Sequence, residues 1–420
     1  MYRAHNPEAP GMHNSAGGYT AGSRFDSHTK VSYRRNAGYF ERVGSSFCGA
    51  FVGIFILLSG FPLLFWNEGR AVQTAKSLDE GLGAVISLQS ADAVFESNNN
   101  KLVHLTGLLK TDMPLSDNDY GVSIYAVKLH RKVEMYQWVE HESKREFNEG
   151  DRTRVETTYS YSKEWRSDVI NSGRFDMPSG HQNPNSMLVK AFSKEADPVY
   201  VGRYRISKGL ATKVGSFRNY IPKVVPEGKS DVKIQGEYFY HSLDPFRAKV
   251  GDIRVMFQFA GISGESRHGG IDRVSIIARQ NGEFLSHYQT KAGDRLEILY
   301  DGDFTAQEIF ENEHRTNTFI TWLVRGIGWL LMFIGMQMIT DIVRQIVSFI
   351  PIIRDLVGLA TLLLSFTLAT SLALLTIAVG WFAYRPLLSL AIVVGAAVPI
   401  ILSKRRAASQ KVEEEKKGFH

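Results

Sequence analysis

The chain has 420 residues and a formal net charge of +6. Residues 1–46 carry six Lys/Arg against three Asp/Glu, and residues 403–420 repeat that balance, so the two tails hold the whole excess. A nucleic-acid-binding domain needs its basic excess on the folded body, so that class is excluded and no nucleic-acid partner is expected. The positive charge lies instead beside apolar runs, where the positive-inside rule and anionic lipids act.

Residues 1–45, rich in Gly, Ser, His, Asn and Tyr without an apolar period, read as a disordered basic tail. An apolar run over 46–66 follows, and three more lie at 319–340, 356–383 and 387–402. A helical span needs roughly 20 apolar residues; the first two runs meet that length, the third exceeds it and the fourth is short. The expected class is a membrane protein with four transmembrane α-helices and a large, mostly β domain between the first and second, so the lipid bilayer is its first partner. The first run starts after more than forty residues and ends in Phe65-Trp66-Asn67-Glu68 where a cleavage site would carry small residues. It reads as an uncleaved anchor. Gly49 and Gly53 within it form a small-xxx-small pair that permits close helix packing.

Lys30, Arg34, Arg35 and Arg42 precede the first span, and Lys404, Arg405 and Arg406 follow the last. Four spans put both tails on one face, and their charge makes it cytosolic or nucleoplasmic. Residues 67–318 are then lumenal. Arg70, Arg325 and Arg385 stand at span ends on the lumenal side and oppose this orientation. Trp66, Arg70, Arg385, Lys404, Arg405 and Arg406 are expected at the membrane interface, with Arg385 snorkelling to headgroups. Cys48, in the first span, is the only cysteine, and no Asn-x-Ser/Thr sequon occurs, which favours the endoplasmic reticulum or nuclear envelope over the cell surface.

Beyond Trp66, the helical spacing of Ala71, Ala75, Leu78 and Leu82 carries the first helix past the bilayer, and Gly81 and Gly83 are expected to stop it. Alternating runs at 103–108, 122–129, 133–139, 232–239, 253–259, 274–278 and 296–299 predict strands separated by Asp, Gly and Pro turns. Two stretches, through Gly107 and through Gly236, are equally compatible with a duplicated module and with chance. Glu140, Glu142, Glu146 and Glu149 mix with Lys144 and Arg145, the pattern of a solvated face. After Asp303, the spacing of Ala306, Ile309 and Phe310 predicts a helix running into the second span.

Between the second and third spans, residues 341–355 read as a cytosolic amphipathic loop broken by Pro351. The third span places Ser365, Thr367, Thr370, Ser371 and Thr376 in a Leu-rich helix. Such hydroxyls either bond back to their own helix or across to another, for ~0.6–2 kcal/mol per contact. Thr367 and Ser371 share a face, with Gly380 further along it, and are taken as candidate packing residues. Residues 384–386 make a short lumenal turn, and Pro386 suits the first turn of the fourth helix.

Motifs across the chain resemble the LUMA family of multi-pass transmembrane proteins. They include Phe65-Trp66-Asn67-Glu68-Gly69-Arg70-Ala71, Val133-Glu134-Met135-Tyr136-Gln137-Trp138-Val139-Glu140, Tyr159-Ser160-Tyr161-Ser162-Lys163-Glu164-Trp165-Arg166-Ser167, Arg354-Asp355-Leu356-Val357 and Ala369-Thr370-Ser371-Leu372-Ala373-Leu374-Leu375-Thr376. The resemblance implies residence in the endoplasmic reticulum and inner nuclear membrane, self-association, and complexes with emerin-type and lamin nuclear envelope proteins. It supplies no catalytic residue. His141-Glu142-Ser143-Lys144-Arg145 lacks the second His of a zinc-peptidase helix, and no nucleophile elbow or phosphate loop is present. No enzyme activity, cofactor or metal is therefore expected. The expected role is a scaffold that maintains nuclear envelope structure; the alternatives are a channel subunit or channel modulator, or a lumenal ligand-binding domain.

Overall fold

The computed structural model describes residues 27–36, 38–228, 230–264, 268–347 and 350–386. The expected fourth span at 387–402, the tail at 403–420 with Lys404, Arg405 and Arg406, and residues 1–26 lie outside the described residues.

Three long helices form the base: α1 at Tyr39–Ala84, α2 at Ala306–Ile346 and α3 at Pro351–Tyr384. Each carries a stretch long and apolar enough to cross a membrane. At 1.5 Å per residue α1 is about 70 Å long, more than twice a ~30 Å hydrocarbon core. Its last turns therefore reach the β domain, where Leu78 packs with Phe310 and Ile309 of α2. Gly81 does not stop the helix, which runs on to Ala84. It keeps a close contact instead: a Cβ there would lie 2.5 Å from the Leu296 side chain. The start of α2 is fixed by a capping box, in which Thr305 Oγ1 accepts from the Glu308 amide and the Glu308 carboxylate accepts from the Thr305 amide. The segment expected as an amphipathic loop partly continues α2, as far as Ile346, and Pro351 opens α3 at its first turn.

The β domain is built mainly on two large sheets, with two further two-stranded pairs. Their principal strands are β1 (Ser27–Arg35), β2 (Leu102–Thr111), β3 (Ala126–Glu149), β4 (Arg152–Arg166), β5 (Val199–Val201), β6 (Tyr204–Ile206), β7 (Val232–Gln235), β8 (Tyr238–His241), β9 (Ile253–Ile262), β10 (Arg273–Asn281), β11 (Phe284–Ser286) and β12 (Ile298–Asp301). One sheet runs β1-β4-β3-β9-β8-β7, antiparallel throughout. In the other, β2 pairs with both β5 and β10, and β10-β11-β6-β5 completes a closed ring. Leu105, Leu109, Val201, Tyr204 and Ile276 fill the ring. The outer face of β2 and β10, through Leu102 and Ile277, rests on α1 and α2. The domain is thus seated on both flanking helices by one apolar layer. Gly107 lies within β2, whereas Gly236 has positive φ in the β7–β8 turn, so the two stretches do not repeat one structure.

Past Val139 the β3–β4 hairpin leaves the body as an arm, paired from Met135 with Arg166 out to Glu149 with Arg152. Residues 141–149 are all exposed, as expected for mixed charge, but they are strand. Opposite charges hold the tip: Arg154 Nε lies 2.8 Å from Glu149 and Nη1 2.9 Å from Glu156. The N-terminal reading is corrected here. Residues 27–35, taken as disordered tail, form β1 along the open edge of β4, from Ser27 opposite Ser160 to Arg35 opposite Arg152. Asp176 receives both His28 and Lys30. Polar β-branched and aromatic residues that bury little can still pair when a neighbouring strand offers free backbone groups.

Candidate functional site

The three helices meet along one seam. Without a hydrophobic drive in lipid, helix association relies on close backbone approach and polar contacts. Both occur. Gly53 and Gly60 on α1, seven residues apart, face Gly335 and Gly328 on α2. A Cβ on Gly335 would lie 2.5 Å from the Gly53 carbonyl oxygen, and one on Gly60 would lie 2.7 Å from the Met332 side chain. Leu64, Met332, Ala369 and Ala373 fill the layer shared with α3. Trp329 Nε1 donates to Thr370 Oγ1 at 3.1 Å, and Ser46 Oγ donates to Asp341 at 2.9 Å.

At the end nearest the β domain the seam turns polar. Glu68 is 2% exposed and accepts two bonds of 2.7 Å from Arg325 Nε and Nη2. A third comes from Trp381 Nε1 at 2.9 Å, so one carboxylate ties α1 to α2 and α3. The Arg325 guanidinium also lies over the Trp322 ring, 4.9 Å from its centroid. Gly380 leaves the room, since a Cβ there would sit 3.0 Å from Glu68 Cβ. One turn on, Asn67 donates to the Thr321 carbonyl, Asn317 donates to the Ala71 carbonyl, and Arg70 donates to Asn317, Asn67 and Thr321. Breaking one partner of a buried ion pair costs about 3–5 kcal/mol because the other charge stays behind.

Of the residues singled out from sequence, Gly53 and Gly380 lie in this seam, whereas Gly49 faces open space, where an added Cβ would meet nothing within 4 Å. Thr367 and Ser371 share a face, but it points outward, and their hydroxyls donate to the Leu363 and Thr367 carbonyls of their own helix. Within one chain they are not packing residues; Thr370 and Ser365, on the opposite side, are the hydroxyls that meet α2. Trp66 is 58% exposed, and Arg385 is exposed. Arg70, expected at the membrane interface, is half-buried among neutral partners and ties α1 to α2. Sequence reading missed Glu68, Arg325, Trp381, Gly60, Gly328 and Gly335. The seven-residue glycine spacing on both helices was the available signal, as was the pairing of opposite charges at facing ends of the first two spans. Among the described residues no three His, Cys, Asp or Glu side chains gather as a metal site.

A helical base knit by glycine contacts and a buried ion pair, with a β-rich domain between its first and second helices, defines a multi-pass membrane protein with an inserted domain. A family model described as Transmembrane protein 43 matches residues 135–386. The chain is 44% identical over 399 residues to Transmembrane protein 43 of Homo sapiens, and to that of Pongo abelii, covering 95% of this chain and all of each relative. The Transmembrane protein 43 homolog of Drosophila melanogaster is 33% identical over 366 residues, covering 84% of this chain and 93% of that protein. The chain therefore belongs to the transmembrane protein 43 family, the LUMA family of the sequence resemblance. No solved structure matches it.

Proposed function

We propose that the protein is a non-enzymatic, self-associating scaffold of the endoplasmic reticulum and inner nuclear membrane that organises membrane protein complexes. Residues 387–402 supply a fourth span, both tails face the cytosol or nucleoplasm, and the β domain is lumenal. Emerin-type proteins and lamins are the partner class, reached from the tails and the α2–α3 connection. One observation carries the preference over a channel: Arg325 is the only charged residue within the three described spans, and Glu68 satisfies it. An ion pathway needs charged or polar groups directed at a water-filled path. A ligand-binding domain is disfavoured by the filled interior of the ring. The outward hydroxyl face of Thr367 and Ser371 is then the surface for a second copy. Proximity labelling from the C-terminal tail is expected to recover nuclear envelope proteins, and recovery of none would remove the scaffold reading. Current through the purified protein in planar bilayers would favour the channel.

The β1–β4 pairing bears on this orientation. β1 precedes α1 and β4 follows it, so a single crossing by α1 sets the hydrocarbon core between them. The arm that reaches β1 carries Glu140, Glu142, Lys144, Arg145 and Glu146, and a charged residue at mid-membrane costs about 2.5–3.5 kcal/mol. An arm of this composition does not lie in lipid. Crossing and pairing therefore exclude each other, and the lumenal placement requires β1 to part from β4 on insertion. Ser32 and Val155 are register partners. With Cys48 replaced by Ser, a Ser32→Cys/Val155→Cys variant should form no disulfide in membranes, and an efficient intramolecular crosslink there would overturn the lumenal placement.

A further inference from the structure

We propose that the groove where α1 leaves the membrane binds the headgroup of an anionic phospholipid. The groove has a volume of about 460 Å³, within the range of small-molecule sites. Trp66, Arg70, Gln73 and Lys76 line it from one face of α1, Tyr384 from the end of α3, and Asp294 from a turn of the β domain. Its level is set by the sequence: the apolar run ends at Trp66, and Trp and Tyr mark the headgroup zone of a span.

Charge decides the ligand class. Arg70 spends its hydrogen bonds on Asn67, Asn317 and Thr321, all neutral, and its buried Nε has no partner. Lys76 is exposed. Among the described residues no carboxylate lies within ion-pair distance of either cation; the acids that balance other basic side chains near the helices, such as Glu68 for Arg325, are engaged elsewhere. Asp294, the one acid on the wall, accepts from Gln73 Nε2 at 2.6 Å. Two cations face one acid, at headgroup depth, beside an exposed indole. A phosphate with an added negative group supplies the missing charge, and its acyl chains run down the exposed apolar side of α1 at Phe55 and Leu58.

The test uses the full chain purified in detergent, native mass spectrometry, and added phosphatidylserine or phosphatidylcholine. Wild-type protein should retain phosphatidylserine several-fold more than phosphatidylcholine. Lys76→Gln should abolish that preference, while Lys101→Gln, on the β domain, should leave it intact. Arg70→Gln should also lower retention, but Arg70 joins the helices, so Lys76→Gln decides. Equal retention of the two lipids, or an unchanged preference in Lys76→Gln, would overturn the proposal. Displacement of phosphatidylserine by millimolar inorganic phosphate would overturn it too, by assigning the groove to free phosphate.

Discussion

The β domain and the helical base bury comparable side chains for different reasons. In the domain, Leu105, Tyr204, Phe257 and Phe259 leave water, and the hydrophobic effect holds them together. In the base, Phe51, Phe55, Leu363 and Leu374 face outward into a medium as apolar as themselves. Apolar character there says only that a helix is in lipid. The side chains that decide which helix meets which are the smallest, Gly53, Gly60, Gly328 and Gly335, and the most polar, Glu68 and Arg325. A residue's contribution thus depends on its solvent: bulk specifies the domain, and absence of bulk specifies the base.

The largest break should come from Glu68→Ala. It strands Arg325 and removes the acceptor of Trp381, so a destabilisation of about 3–5 kcal/mol is expected. Limited proteolysis in detergent should show new cuts between α1 and α2, and Glu68→Ala/Arg325→Leu should recover much of the loss by removing the orphaned charge. If the single variant resists protease like wild type, the polar layer does not hold the base. Leu105→Ala probes the other region. It empties a fully buried site in the ring and should cost about 2–5 kcal/mol, read as a lower melting temperature with the helix contacts kept. Gly335→Ala is the reverse experiment. A single methyl would press on the Gly53 carbonyl and the Leu57 amide, both backbone atoms, for about 1–3 kcal/mol. An unchanged base in that variant would remove the glycine seam from the account.

This contrast also explains what the sequence revealed. β9 buries one face through Ile253, Val255 and Phe257 and alternates, so it was legible as a strand, whereas β2 and β10, buried on both faces, were legible only as apolar runs, and the run 232–239, expected as one strand, is split at Gly236 into β7 and β8. The outer half of β3 was not legible, because both its faces are wet and charge pairs replace apolar alternation. β1 was hidden for a further reason: its partner lies more than a hundred residues away, beyond a span, and only the free edge of β4 makes it a strand. In the base, span lengths are written in hydropathy, but which face packs is not. Thr367 and Ser371 at i,i+4 and Thr370 between them carry the same chemistry, and only Thr370 meets another helix. Arg325, read from sequence only as a charge at a span end, is held by Glu68.

The smallest expected effect is a dependence on pH confined to the domain. His104 is buried where β2 rests on the helices, with Nε2 2.9 Å from the Phe304 carbonyl and Nδ1 3.3 Å from Ser87 Oγ. Burial lowers its pKa below 6.5, and it does the same for His130 and His268. A histidine whose folded pKa is depressed takes up fewer protons than it does unfolded. Its stabilising share is therefore complete above the unfolded value of about 6.5 and is lost as pH falls toward the folded value. Melting of the full chain, followed by aromatic circular dichroism, should occur at lower temperature at pH 5.5 than at pH 7.5. His104→Gln keeps a donor near the Phe304 carbonyl without a titrating group, so the difference should shrink in that variant. A difference of undiminished size would assign the pH response to the other histidines, and a transition that shifted equally for the helical base would erase the distinction between the two regions on this axis.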